Sequence, residues 1–592
     1  MATQIEKAIP VGYLTTSVTR ETFLTPEKFD DEQRLMRESA RTFIQREVLP
    51  QSAAIDHQEP GVLPGLVHKA GEQGLLMIDV PEAYGGAELG MIVSAIVGGE
   101  MREASFAVAV GAHTTIGTLP IVFYGTDAQK RQYLPRLATG ELIGAYALTE
   151  PGVGSDAMSI RTRAELAPDG KHYILNGSKQ WISNAGFADL MIVFAKVDDT
   201  KHTAFIVEAA WPGISTGAEE KKMGIKGSST RSVYFDNVRV PVENVLGQVG
   251  KGYKIAFNIL NIGRLKLGAG TAGGARSALD LAAKYAGERK AFGKPLHSFG
   301  LIKKKLAHMA ADVYAAEALS YRTVGMVEDA RLAAGEDQQA QLAAIEDFAI
   351  ECSIAKVYGS EALGRCVDEG VQIFGGYGFM QEYPIEKAYR DARINRIFEG
   401  TNEINRMVAA GTLFQRAMEN KIDLFTVFPE IEAQVSRGSA PDFASADTPA
   451  ALRESVNLLE RAKRASIYAV MKGAMKFMST MKDEQEFLEG TANLLINLYA
   501  ADSALARALD AARAGATDAH THALLAQLAL LRLLPELRTS LDGVVTMSAD
   551  GEDRKQELAR VRTYLGDPEA SIVPLQRELA EVVATHGGYP LD

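Results

Sequence analysis

Cysteine and tryptophan are almost missing from this chain, with two of each in 592 residues. Cys352 and Cys366 lie in a helical stretch. They rule out a disulfide scaffold and predict buried thiols in a reducing compartment. Positive charge is also short. Lys and Arg number 63 against 75 acids, a formal net charge of −12. No pervasive positive field is therefore available to neutralise phosphates, which excludes nucleic acid as a partner. No apolar run reads as long enough to span a bilayer. The opening, Met1 to Pro10, carries Glu6 and Lys7 and lacks both an apolar signal core and an Arg-rich transit character. The expectation is a cytoplasmic protein of bacterial type that needs no metal.

What is present is length, too much for one core, so three or four domains are expected. The pattern predicts an α+β fold, mainly α. Residues 1–28 read as an N-terminal extension and 29–144 as a helical domain. Thr25-Pro26-Glu27 is a helix-start signal, and Leu35, Ala40, Phe43, Ile44 and Val48 fall at helical spacing. Residues 145–252 read as a β barrel or sandwich, with Asn176-Gly177 as a hairpin turn between Tyr173-Ile174-Leu175 and Trp181-Ile182. Residues 253–425 read as a bundle of long helices, in which Ile302, Leu306, Met309 and Val313 form a buried stripe. Residues 426–450 read as a linker and 451–592 as a separate Ala- and Leu-rich helical domain.

The most informative stretch runs from Arg396 to Ile404, where Glu399 precedes Gly400 and Thr401. A carboxylate beside close-approach backbone suits a general base. Read alone, it is more simply an acid at a helix N-terminus. Leu148 to Asp156 joins hydroxyls and glycines that could wrap a phosphate or ring edge, or form an ordinary turn. Trp181 and Ser183 would share a strand face as an aromatic plate and a donor, although a core Trp is commoner. Arg289 offers a guanidinium for a pyrophosphate, or a solvated helix cap. Gly268 to Gly273 matches GxGxxG but sits inside a helical pattern, so close helix packing explains it better than dinucleotide binding. From Arg461 to Lys482 six cations run without an acid among interleaved methionines. This is either an interfacial helix on anionic lipid or a helix with a basic outer face.

Together these blocks resemble the acyl-CoA dehydrogenase flavoproteins over nearly the whole chain from Phe29, with the very-long-chain type most similar. The motifs are Leu148–Asp156 and the run from Gln372 to Asp391, which holds Gly375, Gly376, Gly378, Glu382 and Lys387 in their expected places. The resemblance implies FAD, an acyl-CoA substrate oxidised to the trans-2-enoyl-CoA, electron-transferring flavoprotein as acceptor and a homodimer. It implies Glu399 as the base that removes the α-proton. A rival position for the base, directly before Arg264, is Gly263 here and cannot serve. Tyr146, Leu148, Thr149, Trp181 and Ser183 match flavin contacts, and Thr401 and Glu403 match contacts to the same FAD. Arg289, Phe292, Gln372 and Gly376 match residues that hold the neighbouring subunit's FAD. Ser155 matches a residue near the CoA phosphates. Asn261, Arg264, Phe398 and Gly400 fall on the substrate side.

Val108, Gly111 and Ala112 match the pocket floor, where their small size implies a long apolar tunnel and long acyl chains. The resemblance also implies a loose membrane contact through Arg461–Lys482, at the inner face. Two other functions fit the same motifs: an oxidase that passes electrons to O₂, and a non-catalytic assembly or scaffold protein that keeps the fold.

Overall fold

The computed structural model describes residues 9–20 and 22–591. Glu6 and Lys7 lie outside the described residues. A capping box at Asp30 starts the first long helix, Asp31–Phe43. The Asp30 carboxylate accepts from Gln33 N–H at 2.8 Å, and Gln33 Oε1 accepts from Asp30 N–H at 3.2 Å. The signal at Thr25-Pro26 opens only the short turn Pro26–Lys28. Ala40, Phe43, Ile44 and Val48 face the core, whereas Leu35 is 69% exposed. One correction concerns apolar length. Ala104–Tyr124 is helical, 21 residues long and apolar enough to cross a membrane, but 72% of its apolar window is buried inside the protein. Its sequence reflects a core helix.

The middle domain is one eight-stranded sheet: β1 (Gly144–Ala147), β2 (Arg163–Leu166), β3 (His172–Ser183), β4 (Leu190–Val197), β5 (Lys201–Glu208), β6 (Ile214–Thr216), β7 (Thr230–Pro241) and β8 (Val245–Leu246). The strand order is β6-β7-β3-β2-β4-β5-β8, and β1 pairs in parallel with β4. The hairpin expected at Asn176-Gly177 does not exist. Both residues lie within β3, whose pairing with β7 shifts register between Leu175 and Gly177. Gly177 has φ +147°, and a Cβ there would stand 2.8 Å from Thr162 Cα. The glycine therefore marks a bulge where backbones meet, not a turn.

Four long helices form the bundle: Gly252–Glu288, Gly300–Ala333, Ala349–Phe374 and Asn402–Met418. Leu306, Met309 and Val313 are buried as the stripe requires. Gly268–Gly273 lies inside the first of these helices, and a Cβ at Gly273 would sit 1.9 Å from the Gly99 carbonyl oxygen. Close approach to the helix Gly90–Gly99, not a phosphate, explains the motif. Both cysteines are free and buried.

The linker expected over 426–450 is mostly helix, because Leu424–Arg437 buries Leu424, Phe428, Ile431 and Val435 at i, i+4, i+7 and i+11. Only the segment from Gly438 to Pro449 is loop. The last domain is not separate either. Helices Arg453–Phe477, Gln485–Arg513 and Ala519–Ser548 share one hydrophobic core with the bundle. Buried ion pairs cross the seam, with Arg322 and Asp502 at 2.7 Å and Arg507 and Glu317 at 3.2 Å. The N-terminal extension is wedged into the same seam. Val11, Tyr13 and Val18 are buried, and Tyr13 Oη donates to the Leu495 carbonyl at 3.2 Å.

One cation of the basic run lies inside the fold, and three more are paired at its edge. Lys463 is fully buried against Glu460 and Asp502, Arg464 pairs with Glu460, Lys472 with Glu432 and Lys476 with Asp550. Met475, Met478 and Lys482 at its end are exposed.

Gly273→Ala forces the two helix backbones apart and should cost about 1–3 kcal/mol, read as a lowered Tm. An unchanged Tm would show that the helices do not pack this closely.

Candidate active site

Three domains meet around a cleft of about 2080 Å³. The helical domain gives Val108, Gly111 and Ala112 from Ala104–Tyr124. The sheet gives Tyr146, Leu148, Thr149, Ser155, Trp181 and Ser183. The bundle and the loop before its fourth helix give Asn261, Arg264, Phe398, Glu399, Gly400 and Thr401. Trp181 is 58% exposed, so it is a plate on the cleft wall and not a core residue.

The Leu148–Asp156 segment is held from below by a buried lysine. Lys179 Nζ donates to the Leu148 carbonyl at 3.1 Å and to Glu150 Oε1 at 2.8 Å. That carboxylate also accepts from the Thr162 backbone N–H at 3.0 Å. Gln180 N–H ties Thr149 to β3 at 2.9 Å. The turn is thus fixed from the protein side, and its outer edge lines the cleft.

Glu399 and Gly400 occupy consecutive left-handed positions, φ +56° and +80°. Such a conformation is strained for a residue with a Cβ and persists only where the surroundings enforce it. Here the enforcement falls on backbone carbonyls. Arg264 Nε donates to the Glu399 carbonyl at 3.2 Å, and its Nη1 to Asn261 Oδ1 at 3.1 Å. Asn405 Nδ2 donates to the Glu399, Gly400 and Thr401 carbonyls at 3.3, 2.9 and 3.0 Å. Thr401 then caps the fourth bundle helix through Ile404 N–H at 3.2 Å.

The side chain itself is left free to react. Glu399 Oε2 is buried and has no hydrogen-bond partner. Burial pushes its carboxyl up to about 7, against the pull of Arg264 and Lys356. A Cβ at Gly263 would stand 2.7 Å from Glu399 Oε2. Gly263 therefore does more than fail as a base. Its missing side chain is the space in which the carboxylate sits.

Four predicted cofactor residues stand elsewhere. Arg289 ends the first bundle helix and lies over the Tyr377 ring at 5.6 Å. Phe292 is 94% exposed, and Gln372 and Gly376 are exposed at the end of the third bundle helix. All four lie on the outer surface and not on the lining of the cleft. Glu403 is exposed just beyond the cleft lining.

The sequence reading missed Lys356, Asn402 and Asn405. Asn402 and Asn405 follow the base in Thr401-Asn402-Glu403-Ile404-Asn405, and the only sequence signal for Lys356 is a lone cation in the apolar run Ile354 to Tyr358. Among the described residues no group of acids, histidines and cysteines could hold a metal.

The chain matches the family descriptions "Acyl-CoA dehydrogenase, N-terminal domain" over residues 30–141, "middle domain" over 145–238 and "C-terminal domain" over 250–414 and again over 461–563. It is 43% identical over 575 residues to a probable acyl-CoA dehydrogenase of Bacillus subtilis, covering 96% of each chain. The chain belongs to the acyl-CoA dehydrogenase family. Its fold superposes on the crystal structure of an acyl-CoA dehydrogenase complexed with FAD from Bacillus anthracis with a TM-score of 0.95, at 41% identity over 99% of this chain and 100% of that one. The human mitochondrial very-long-chain-specific acyl-CoA dehydrogenase is 47% identical over 352 residues, 57% of this chain and 51% of that protein.

As an acyl-CoA dehydrogenase-family oxidoreductase, the chain has a site that fits FAD. The Tyr146 hydroxyl is buried without a partner, Trp181 offers an uncovered ring face, and the Leu148–Asp156 turn faces an open cleft. An orphaned hydroxyl beside an aromatic plate is what a polar-edged ring system would satisfy.

Gly263→Ala should displace the Glu399 carboxylate and lower kcat on the order of 10²-fold with FAD content unchanged. A kcat equal to the parent's would mean that the carboxylate has another seat.

Proposed function

We propose that this chain uses FAD to convert long-chain acyl-CoA thioesters to trans-2-enoyl-CoA, passes the electrons to electron-transferring flavoprotein and works as a homodimer. The observation that carries the reading is Glu399: a buried carboxylate with an unpartnered oxygen, pushed up to about 7, among the residues lining the cleft at the family's base position.

FAD, when bound, accepts the β-hydrogen as hydride. The protein's own part is proton chemistry and positioning. Glu399 takes the α-proton onto its unpartnered oxygen, and a group near 7 is well matched to that task at neutral pH. The Glu399 backbone N–H is the donor we assign to the thioester carbonyl, where charge develops as the α-proton leaves. Arg264 and Asn405 keep the turn from recoiling. The apolar cleft walls exclude water from the exchange.

Long-chain preference rests on Val108, Gly111 and Ala112. Their side chains are small, and a Cβ at Gly111 would meet nothing within 4 Å. Each further buried CH₂ contributes up to about 0.8 kcal/mol. A dimer is supported by the apolar outer surface of Phe292, Leu301 and Phe379, which are 94%, 77% and 78% exposed. Trp181 at the cleft rim leaves a route by which a protein acceptor could reach the cofactor edge. Lipid contact through Arg461–Lys482 would fall to the exposed end with Met475, Met478 and Lys482. The retained base, whose strained seat no packing requires, argues against a scaffold role.

Glu399→Gln should keep FAD yet lose turnover of palmitoyl-CoA by about 10³-fold or more. For the parent enzyme, kcat/KM should fall as pH drops through about 7, because the carboxylate must be ionised to act. Substantial activity in Glu399→Gln removes the base assignment. A kcat/KM that peaks at butyryl-CoA removes the long-chain reading, and stoichiometric peroxide would show an oxidase.

A further inference from the structure

Lys356 lies in the first third of the third bundle helix with no exposed surface. Its helical neighbours, Ile354, Ala355 and Val357, are all core residues. An ammonium in such a place must be fully partnered to persist. Its Nζ donates to the Gly400 carbonyl and to Asn402 Oδ1, both at 2.7 Å. Gly400 directly follows the base. The contact therefore clamps the second half of the left-handed turn, as Arg264 clamps the first.

The clamp is anchored outward by a polar relay. Asn402 Nδ2 donates to Ser360 Oγ at 3.1 Å and to Glu361 Oε1 at 3.0 Å. Arg406 pairs with Glu361 at 2.9 Å and donates to Asn493 Oδ1 at 2.7 Å. Asn493 belongs to the helix Gln485–Arg513, so the last domain touches the far end of the relay. Four charged groups face Lys356: Glu399 from the loop, Arg264 from the first bundle helix, Glu361 from its own helix and Glu403 from the fourth.

We propose that Lys356 is a positioning residue for Glu399: its ammonium holds the turn through the Gly400 carbonyl and favours the ionised carboxylate at cleft depth. This deepens the proposed function and rests on Glu399 being the base. Burial draws Lys356 down to about 7 and Glu399 up to about 7, and each opposes the shift of the other. The two groups titrate as a pair. Removing the cation takes away a charge that pulls the carboxyl down, so the carboxyl moves up.

The test uses full-length holoenzyme carrying Lys356→Gln, which keeps a donor and removes the charge, and Lys356→Arg, which keeps the charge. In Lys356→Gln the acid limb of kcat/KM should move up by about one pH unit, with KM and FAD content near parental values and most activity regained at alkaline pH. In Lys356→Arg the limb should stay where it is in the parent. A difference-infrared titration of the Glu399 carboxyl in resting enzyme should give the same shift without turnover. Should Lys356→Gln fail to fold, the near-isosteric Asn402→Asp sets a carboxylate against the same ammonium and should move the limb in the same direction.

A limb and carboxyl band that both stay in place overturn the proposal, even where activity falls uniformly, since uniform loss is what simple disruption gives. Glu399→Gln assayed alongside separates the two failures. An active Glu399→Gln removes the base reading itself, whereas an inactive one beside an unmoved limb removes only the role of Lys356.

Discussion

A buried carboxylate with no protein hydrogen bond on one oxygen must be held by its backbone, and at Glu399 that constraint organises the rest of this structure. Any donor placed on Glu399 Oε2 would stabilise the anion and weaken it as a base. The chain leaves that oxygen alone and grips the carbonyl of Glu399 itself and the two that follow it. Arg264 comes from the first bundle helix, Lys356 from the third and Asn405 from the fourth. Three helices thus converge on a two-residue turn that strain alone would undo. Gly263 completes the arrangement by contributing nothing where the carboxylate needs room.

The grip is only as good as the rigidity of the bundle. Its first helix packs on its neighbours over small residues: a Cβ at Gly268 would stand 3.0 Å from Ala355 Cβ in the third, and at Gly273 the gap to the Gly99 carbonyl of the N-terminal helical domain would not admit a methyl group. Buried ion pairs such as Arg322 with Asp502 and Arg507 with Glu317 lock the seam with the last domain. Pairs of this kind add little net stability, because desolvation offsets their attraction. What they add here is register: a charge in the wrong place along such a seam would have no partner. The N-terminal segment joins in, since Val18 N–H donates to Glu460 Oε1 at 3.0 Å, and Glu460 also holds Lys463.

The elements legible in the sequence were those whose signal is local. The bundle stripe through Leu306, Met309 and Val313 and the rejection of GxGxxG on its helical context rest on spacing, and the motif around Glu399 placed that residue on the cleft. Errors arose where a local signal had a distant cause. Asn176-Gly177 looks like a turn, yet its glycine exists because Thr162 on a neighbouring strand leaves no room for a Cβ. The basic run Arg461–Lys482 looks like an outer face because its counter-charges, Glu432, Asp502 and Asp550, lie far away in sequence. Ala104–Tyr124 reads as short of a bilayer because a polar stretch, His113-Thr114-Thr115, interrupts it. In the fold it is one continuous helix with that stretch turned inward, where His113 accepts from Gly144 N–H at 2.9 Å. Lys356 gave only the signal of a lone cation in an apolar run, which does not tell whether it points to water or to a carbonyl 44 residues on.

The last domain is separable from the core chemistry but not from this chain's fold. A butyryl-CoA dehydrogenase from Megasphaera elsdenii, 36% identical with a TM-score of 0.60, matches 99% of its own length to only 65% of this chain. A protein of that size accommodates the family's fold without the final helices, so no step at Glu399 requires them in principle. Here they cover bundle surface that would otherwise face water. Leu498, Tyr499 and Leu505, and beyond them Leu525 and Leu528, are buried in the core they share with the bundle. Removing the domain would expose that apolar face together with Arg322 and Glu317, whose partners Asp502 and Arg507 leave with it. A chain built this way is committed to its extra domain for folding, even though the reaction itself is performed by the part its shorter relatives share.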